Sequence, residues 1–245
     1  MGRDGKMEEH VINSVYLEEA LTVKVYKPAS FSPLYKYNIC IMQDGDDYMR
    51  MGRIATLSDR FHQNQSIENT IFAGIHYKDK YDRREKYHPN GKKYTAYMQF
   101  LAKEVVPLLD KELPTYHMGA SRALMGDSLG GTMALMTAIQ YPHTFGKIIM
   151  QSPYVDEHVL TQVEQSDSIA LMEIYHTIGT EETIVDTTDG KQQDFLAPNR
   201  QLHALLQRKC SQYTYYELDG NHTWKYWQQD LKRVLPTMFG TEIQQ

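Results

Sequence analysis

SRALMGDSLGGTMALM, residues 121 to 136, decides the fold. An apolar run with strand character stops at Gly126, one serine follows Asp127, and an Ala/Met/Leu-rich run with helix character begins at Leu129. Gly126-Asp127-Ser128-Leu129-Gly130 fits Gly-x-Ser-x-Gly, in which the serine occupies a sharp strand-to-helix turn with its hydroxyl projecting. Glycines two residues to either side let strand and helix pass without a Cβ clash, and the turn forces strained backbone geometry on Ser128. The helix that follows offers N-terminal N–H groups and a positive dipole end, which suit an oxyanion.

Working outward, YNICIMQ (37 to 43), TIFAGI (70 to 75), KIIMQS (147 to 152) and LMEIYHTIG (171 to 179) are short, nearly continuous apolar runs, the pattern of strands buried on both faces. EHVINSVY (9 to 16) and LTVKVY (21 to 26) alternate apolar and polar residues and predict an antiparallel hairpin at a sheet edge. Segment 95 to 112 places Met98, Leu101, Val105, Leu108 and Leu109 on one helical face, with Pro107 implying a kink or a break. Further helices are expected after Leu129, over 194 to 209 and over 224 to 237. Strand followed by helix, repeated, predicts an α/β fold: a mostly parallel central sheet with an N-terminal antiparallel hairpin and helices on both faces. The stretches 44 to 69, 78 to 94, 153 to 169 and 180 to 193 remain as loops. None is long enough for another domain, so residues 1–245 read as a single domain without a large lid.

Composition narrows the function. With 245 residues, 41% hydrophobic and 23% charged, the chain can bury a full core. A net charge of -5 with scattered Lys and Arg gives no basic face for a polyanion, so nucleic acid is not an expected partner. MGRDGKMEEH lacks an apolar signal region and no eighteen apolar residues run together, which predicts a cytoplasmic protein and no membrane partner. Cys40 and Cys210 are too few and too far apart for a disulfide framework or a thiolate metal site. HExxH, a P-loop and a dinucleotide glycine fingerprint are all missing, so neither metal nor organic cofactor is expected.

A serine hydroxyl is a poor nucleophile until a base takes its proton, and in this fold the base lies after the last strand. His222, in DGNHTWKYW, follows the apolar run YTYYEL (213 to 218) and a turn at Gly220, where a loop would return it over Ser128. His76 and His88 sit in loops that could also face the site, whereas His143 and His176 read as structural. A carboxylate between serine and histidine in chain order must hold the imidazole, and HTIGTEETIVD offers Glu181, Glu182 and Asp186. Spacing alone leaves all three open. A second oxyanion donor is expected from Gln43-Asp44-Gly45-Asp46, just after YNICIM.

In order along the chain stand Asp44-Gly45, Arg83 ahead of Tyr87-His88-Pro89, KEVVPLLDKELPT, GDSLGGTMAL, YPHTFGKIIMQSP, GTEE and GNHTWKYW. Together they resemble the putative-esterase branch of the α/β-hydrolases, which includes enterochelin esterases, S-formylglutathione hydrolases, feruloyl esterases and the mycolyltransferase antigens. The resemblance implies Ser128 as nucleophile, His222 as base and the backbone N–H groups of Leu129 and Asp46 as the oxyanion hole. It implies an acid three residues after Gly179, at Glu182, with Asp186 as the alternative. Arg83 resembles a position that helps bind substrate in siderophore esterases, although the acidic residue found after it there is Lys86 here. Trp224, beside His222, is the second residue expected to meet substrate. The implied activity is hydrolysis of a soluble small-molecule ester, aromatic or siderophore-type, through an acyl-enzyme on Ser128. The alternatives are an acyltransferase using the same triad and a non-catalytic binding protein on the same fold.

Overall fold

β1 (Lys6–Ser14) and β2 (Glu19–Lys27) form an antiparallel hairpin, with Lys6 opposite Lys27 and Ser14 opposite Glu19. A computed structural model describes residues 4–187 and 190–241; residues 188 and 189, within the expected loop 180–193, and the two ends of the chain lie outside the described residues. After the hairpin come β3 (Asn38–Met42), α1 (Gly45–Arg50), α2 (Ile54–Gln63), β4 (Thr70–Ile75), α3 (Lys80–Tyr87), α4 (Tyr94–Phe100) and α5 (Val106–Glu112). The second half runs β5 (Arg122–Asp127), α6 (Leu129–Gln140), β6 (Lys147–Gln151), α7 (Glu157–Gln165), β7 (Glu173–Gly179), β8 (Val185–Asp186), β9 (Gln192–Gln193), α8 (Leu196–Lys209), β10 (Gln212–Leu218) and α9 (Trp224–Phe239).

Eight strands make one sheet in the order β1-β2-β4-β3-β5-β6-β7-β10, while β8 and β9 pair as a small separate hairpin. Pairing is parallel from β4 through to β10, and only β1 and β2 bring antiparallel edges. The central strands feed two cores. Ile39, Ile41, Leu124 and Ile148 pack on one side with Leu101, Leu135 and Leu202 from α6, α8 and the segment after α4. Cys40, Met42, Met125 and Ile149 pack on the other with Leu57 of α2 and Leu231 of α9. Alternate residues of one strand therefore serve opposite layers, and each fully buried aliphatic side chain contributes about 1.5–3 kcal/mol. This double burial is why those strands are apolar throughout.

Two expectations need correction. Pro107 does not break the helix: α4 runs into α5 through a π-helical turn at Leu101–Val105, just ahead of the proline, whose missing N–H removes one rung of the regular ladder there. The expected loops also contain four helices, α1, α2, α3 and α7, and the small β8–β9 hairpin. Side-chain caps account for two of the helices: Asp79 accepts from the N–H groups of Tyr81 and Asp82, and Asp156 from that of Val159. α6 is buried from Leu129 to Ala138, which explains a helix sequence that is apolar on every side. No helix among the described residues is long and apolar enough to cross a membrane.

Candidate active site

Ser128 stands between β5 and α6 with φ 51° and ψ -125°, backbone angles ordinarily reserved for glycine. The turn is held from both sides. The Ser128 N–H donates to Gln151 O at 2.9 Å, and its carbonyl accepts from the N–H groups of Gly131 at 3.0 Å and Thr132 at 3.2 Å. A Cβ on Gly126 would lie 2.2 Å from Gly130 C, so this crossing of strand and helix requires glycine. At the first position of α6, the N–H of Leu129 has no hydrogen-bond partner among the described residues.

The acid and the histidine meet because β7 and β10 end level, with Leu218 opposite Gly179. The loops that follow lock together: Thr180 N–H donates to Leu218 O at 2.8 Å and Glu181 N–H to Gly220 O at 2.9 Å. A Cβ on Gly179 would lie 2.3 Å from Gly220 O, so the close approach of the two loops is built on glycine. Glu182 is thereby carried to His222, whose Nδ1 donates to Oε2 at 2.6 Å. Ser152 Oγ donates to Oε1 at 2.6 Å, as does Gly179 N–H at 2.8 Å, and the residue is 1% exposed. Trp227 Nε1–H in turn donates to Ser152 Oγ at 3.0 Å. The rings of Phe195 and Trp227 flank His222 at 4.7 and 4.9 Å. With Nδ1 committed to Glu182, Nε2 is the nitrogen left for an incoming proton.

Ser128, Leu129 and His222 open onto one cavity of about 270 Å³. Tyr77, Tyr154, Phe195, Val185 and Trp227 supply its aromatic and apolar surface. Its charged wall holds Asp44, Asp47, Asp127, Lys80, Arg83 and Arg84. Arg83 forks onto Asp44, with Nε to Oδ1 at 2.9 Å and Nη2 to Oδ2 at 2.6 Å. Burial opposes its charge, but Asp44 outweighs that and the guanidinium is held protonated. Asp127 is pushed well above the usual carboxylate range, chiefly by burial and then by Asp44, and its Oδ1 has no hydrogen-bond partner among the described residues.

The remaining residues singled out in the sequence fall into different places. Asp186 lines the same cavity but is exposed and accepts from Gln192 Nε2 at 3.1 Å, and Glu181 is exposed. Asp46 directs its carboxylate to Lys24 Nζ at 2.6 Å, away from the cavity lining, while its backbone N–H is unpaired among the described residues at the start of α1. Trp224 packs edge-on against Tyr48 at 4.8 Å and is not part of the cavity lining; Trp227, one helical turn on, takes the place expected of it. His88 lines the cavity, whereas His176 is buried between Asn199 and Tyr213. Ser152 is the residue that sequence reasoning missed. Its signal is the polar pair Gln151-Ser152 closing the apolar run KIIM at the carboxyl end of a buried strand, where ligands and their supports gather.

A family model described as "Putative esterase" matches residues 14–238. The uncharacterized protein YjcH of Bacillus subtilis (strain 168) is 50% identical over 236 residues, 96% of this chain and 98% of its own length. Among solved structures, the enterobactin esterase FES from Shigella flexneri matches with a TM-score of 0.81 at 18% identity over 95% of this chain, which spans 58% of that protein's length. A ferulic acid esterase matches at 0.78 and 16% identity, covering 97% of this chain and 99% of that one. The BES protein from Bacillus cereus matches at 0.76 and 16% identity, covering 98% and 97%. At such identities the structural likeness speaks for the shared α/β-hydrolase-like fold.

Proposed function

The chain belongs to the putative esterase family and is a carboxylic ester hydrolase, and from that premise we propose that it works through an acyl-enzyme on Ser128. The carrying observation is the strained Ser128 turn opening onto the same cavity as an imidazole whose other nitrogen is tied to a buried carboxylate. His222 Nε2 takes the Ser128 proton as Oγ attacks the ester carbonyl, and the N–H groups of Leu129 and Asp46 receive the oxyanion. Collapse expels the alcohol, which takes the proton from His222. Water, deprotonated by the same imidazole, then attacks the acyl-enzyme, and the acid leaves as Ser128 recovers its proton. Glu182 holds the ring and stabilises its cation throughout. The catalytic apparatus we propose belongs to one domain, without a large lid domain among the described residues.

The substrate we infer is a soluble small-molecule ester with an aromatic or polar acyl group. Four aromatic rings around a space of about 270 Å³ favour a planar group over a long alkyl chain. Enterobactin and ferulic esters, named by two of the structural relatives, are the first candidates to assay.

A fluorophosphonate probe followed by peptide mass spectrometry tests the reading. Labelling at Ser128, abolished in Ser128→Ala, together with p-nitrophenyl acetate hydrolysis that falls about 10⁶-fold in that variant, is the expected result. A folded protein that takes no label and turns over no ester overturns it.

A further inference from the structure

Arg83 touches the residue that precedes each of the two oxyanion-donor segments. Asp44 caps α1 in the left-handed conformation, φ 56°, and its carbonyl accepts from Asp47 and Tyr48, which leaves the N–H groups of Gly45 and Asp46 without a partner among the described residues. Its carboxylate, with a side chain 2% exposed, takes the Arg83 fork. Arg83 Nη2 also donates to the backbone carbonyl of Asp127 at 3.2 Å, and Asp127 leads directly into Ser128 and Leu129. One rigid, planar cation thus spans the end of β3 and the end of β5. Asp44 also fits closely over the first turn of α6, where a Cβ on Gly130 would lie only 3.0 Å from its Oδ2.

Resting on the acyl-enzyme reading above, we propose that Arg83 is a positioning residue, which fixes the separation of the Asp46 and Leu129 donors, and that it is not the residue that binds substrate. Its fork is committed to Asp44, and its cation lies over the rings of Tyr77 and Tyr87 at 5.7 and 5.6 Å. Lys80 and Arg84 line the same cavity without an ion pair among the described residues, so these are the cations that remain for an anionic group on a substrate. Oxyanion donors work only when preorganised to within fractions of an ångström, so a strut between their two segments controls the chemical step while leaving ground-state binding alone.

The test uses p-nitrophenyl acetate, an uncharged ester that offers an arginine no anion. Arg83→Met is expected to lower kcat about 10²-fold with KM changed less than about threefold. A trifluoromethyl ketone, whose enzyme-bound hemiketal carries the oxyanion, is expected to lose affinity in step with kcat/KM. Arg83→Lys recovers only part of the rate, and added guanidinium restores part of it in Arg83→Ala. Since Arg83→Met leaves a buried Asp44 unpaired, Asp44→Asn/Arg83→Met provides a second route, and the same kcat loss is expected in its folded fraction. Unchanged turnover of the acetate, with losses confined to esters bearing a carboxylate, makes Arg83 a substrate-binding residue and overturns the proposal. A lowered Tm with unchanged kcat and ketone affinity overturns it in favour of a purely structural role. A wild-type protein without a Ser128 adduct overturns the acyl-enzyme reading and this proposal with it, whereas the first two outcomes, seen with labelled and active wild type, overturn this proposal alone.

Discussion

Glu182 and Asp127 are both buried carboxylates beside the cavity, 1% and 5% exposed, yet the protein furnishes them in opposite ways. Glu182 receives Ser152 Oγ and Gly179 N–H on one oxygen and His222 on the other. Asp127 has one oxygen without a hydrogen-bond partner among the described residues, and the other is 4.0 Å from Arg83. A carboxylate whose lone pairs are met by fixed donors is aimed, and its charge acts on the group it faces. One buried without a full set of donors and beside another carboxylate is driven towards its neutral form, as burial and then Asp44 drive Asp127. Burial and nearness to the cavity are therefore common to both carboxylates. The completeness of the donor set is what sets apart the acid proposed here.

Glu182→Gln puts the strongest strain on this contrast. The amide keeps the shape but presents an uncharged partner to His222, disfavouring both the required tautomer and the imidazolium, and kcat is expected to fall about 10⁴-fold. Asp186→Asn, measured beside it on p-nitrophenyl acetate, is expected to stay within about threefold of wild type. Equal losses in the two variants would remove Glu182 from the role proposed for it.

A smaller effect tests whether the donor set itself matters. Ser152→Ala removes the hydroxyl that links Trp227 Nε1 to Glu182 Oε1, leaving Gly179 N–H and His222 in place. Loss of one hydrogen bond to a carboxylate corresponds to about 1.5–3 kcal/mol, so kcat is expected to fall about 10- to 100-fold with KM nearly constant. A change in KM alone would show that Ser152 serves the substrate and not the acid.

The contrast also marks what a sequence displays. Ser128 was legible because its requirements are local: glycines at fixed offsets, an apolar strand before and an apolar helix after. His222 was legible from its place after the last strand. Glu182, Glu181 and Asp186 could not be separated by spacing, because the choice depends on Leu218 lying level with Gly179, a pairing between segments about 40 residues apart. Trp224 was the tryptophan expected to meet substrate, but the orientation of α9 turns Trp227 to the cavity and Trp224 to Tyr48. Helices α1, α2, α3 and α7 were not legible because they are short and half polar, held by tertiary packing and, in α3 and α7, by aspartate caps. Asp127 was seen only as the variable position of the Gly-x-Ser-x-Gly motif, and nothing in the sequence distinguishes it from a solvated acid.

Asp127→Asn is the mildest substitution and tests the other half of the comparison. Because its carboxyl serves no partner in the proposed mechanism, kcat is expected to change less than about threefold. Stability should move in a defined direction. The folded-state pKa lies above the unfolded value of 3.8, so as pH rises past that value the unfolded chain gives up this proton while the folded protein retains it. The unfolded state then binds fewer protons, and the wild type loses stability from about pH 4 upward until the folded pKa is passed. Asparagine does not titrate and escapes the penalty. The variant should match the wild type near pH 3.5 and exceed it increasingly towards neutrality, by on the order of 1 kcal/mol or about 2–4 °C in Tm. Thermal melts of both proteins across that range read the difference directly, and effects of all other groups cancel to first order. A variant less stable at neutral pH than at pH 3.5, relative to wild type, would mean that Asp127 is ionised and paired with Arg83. Asp127 would then be furnished as Glu182 is, and the distinction drawn between them would fail.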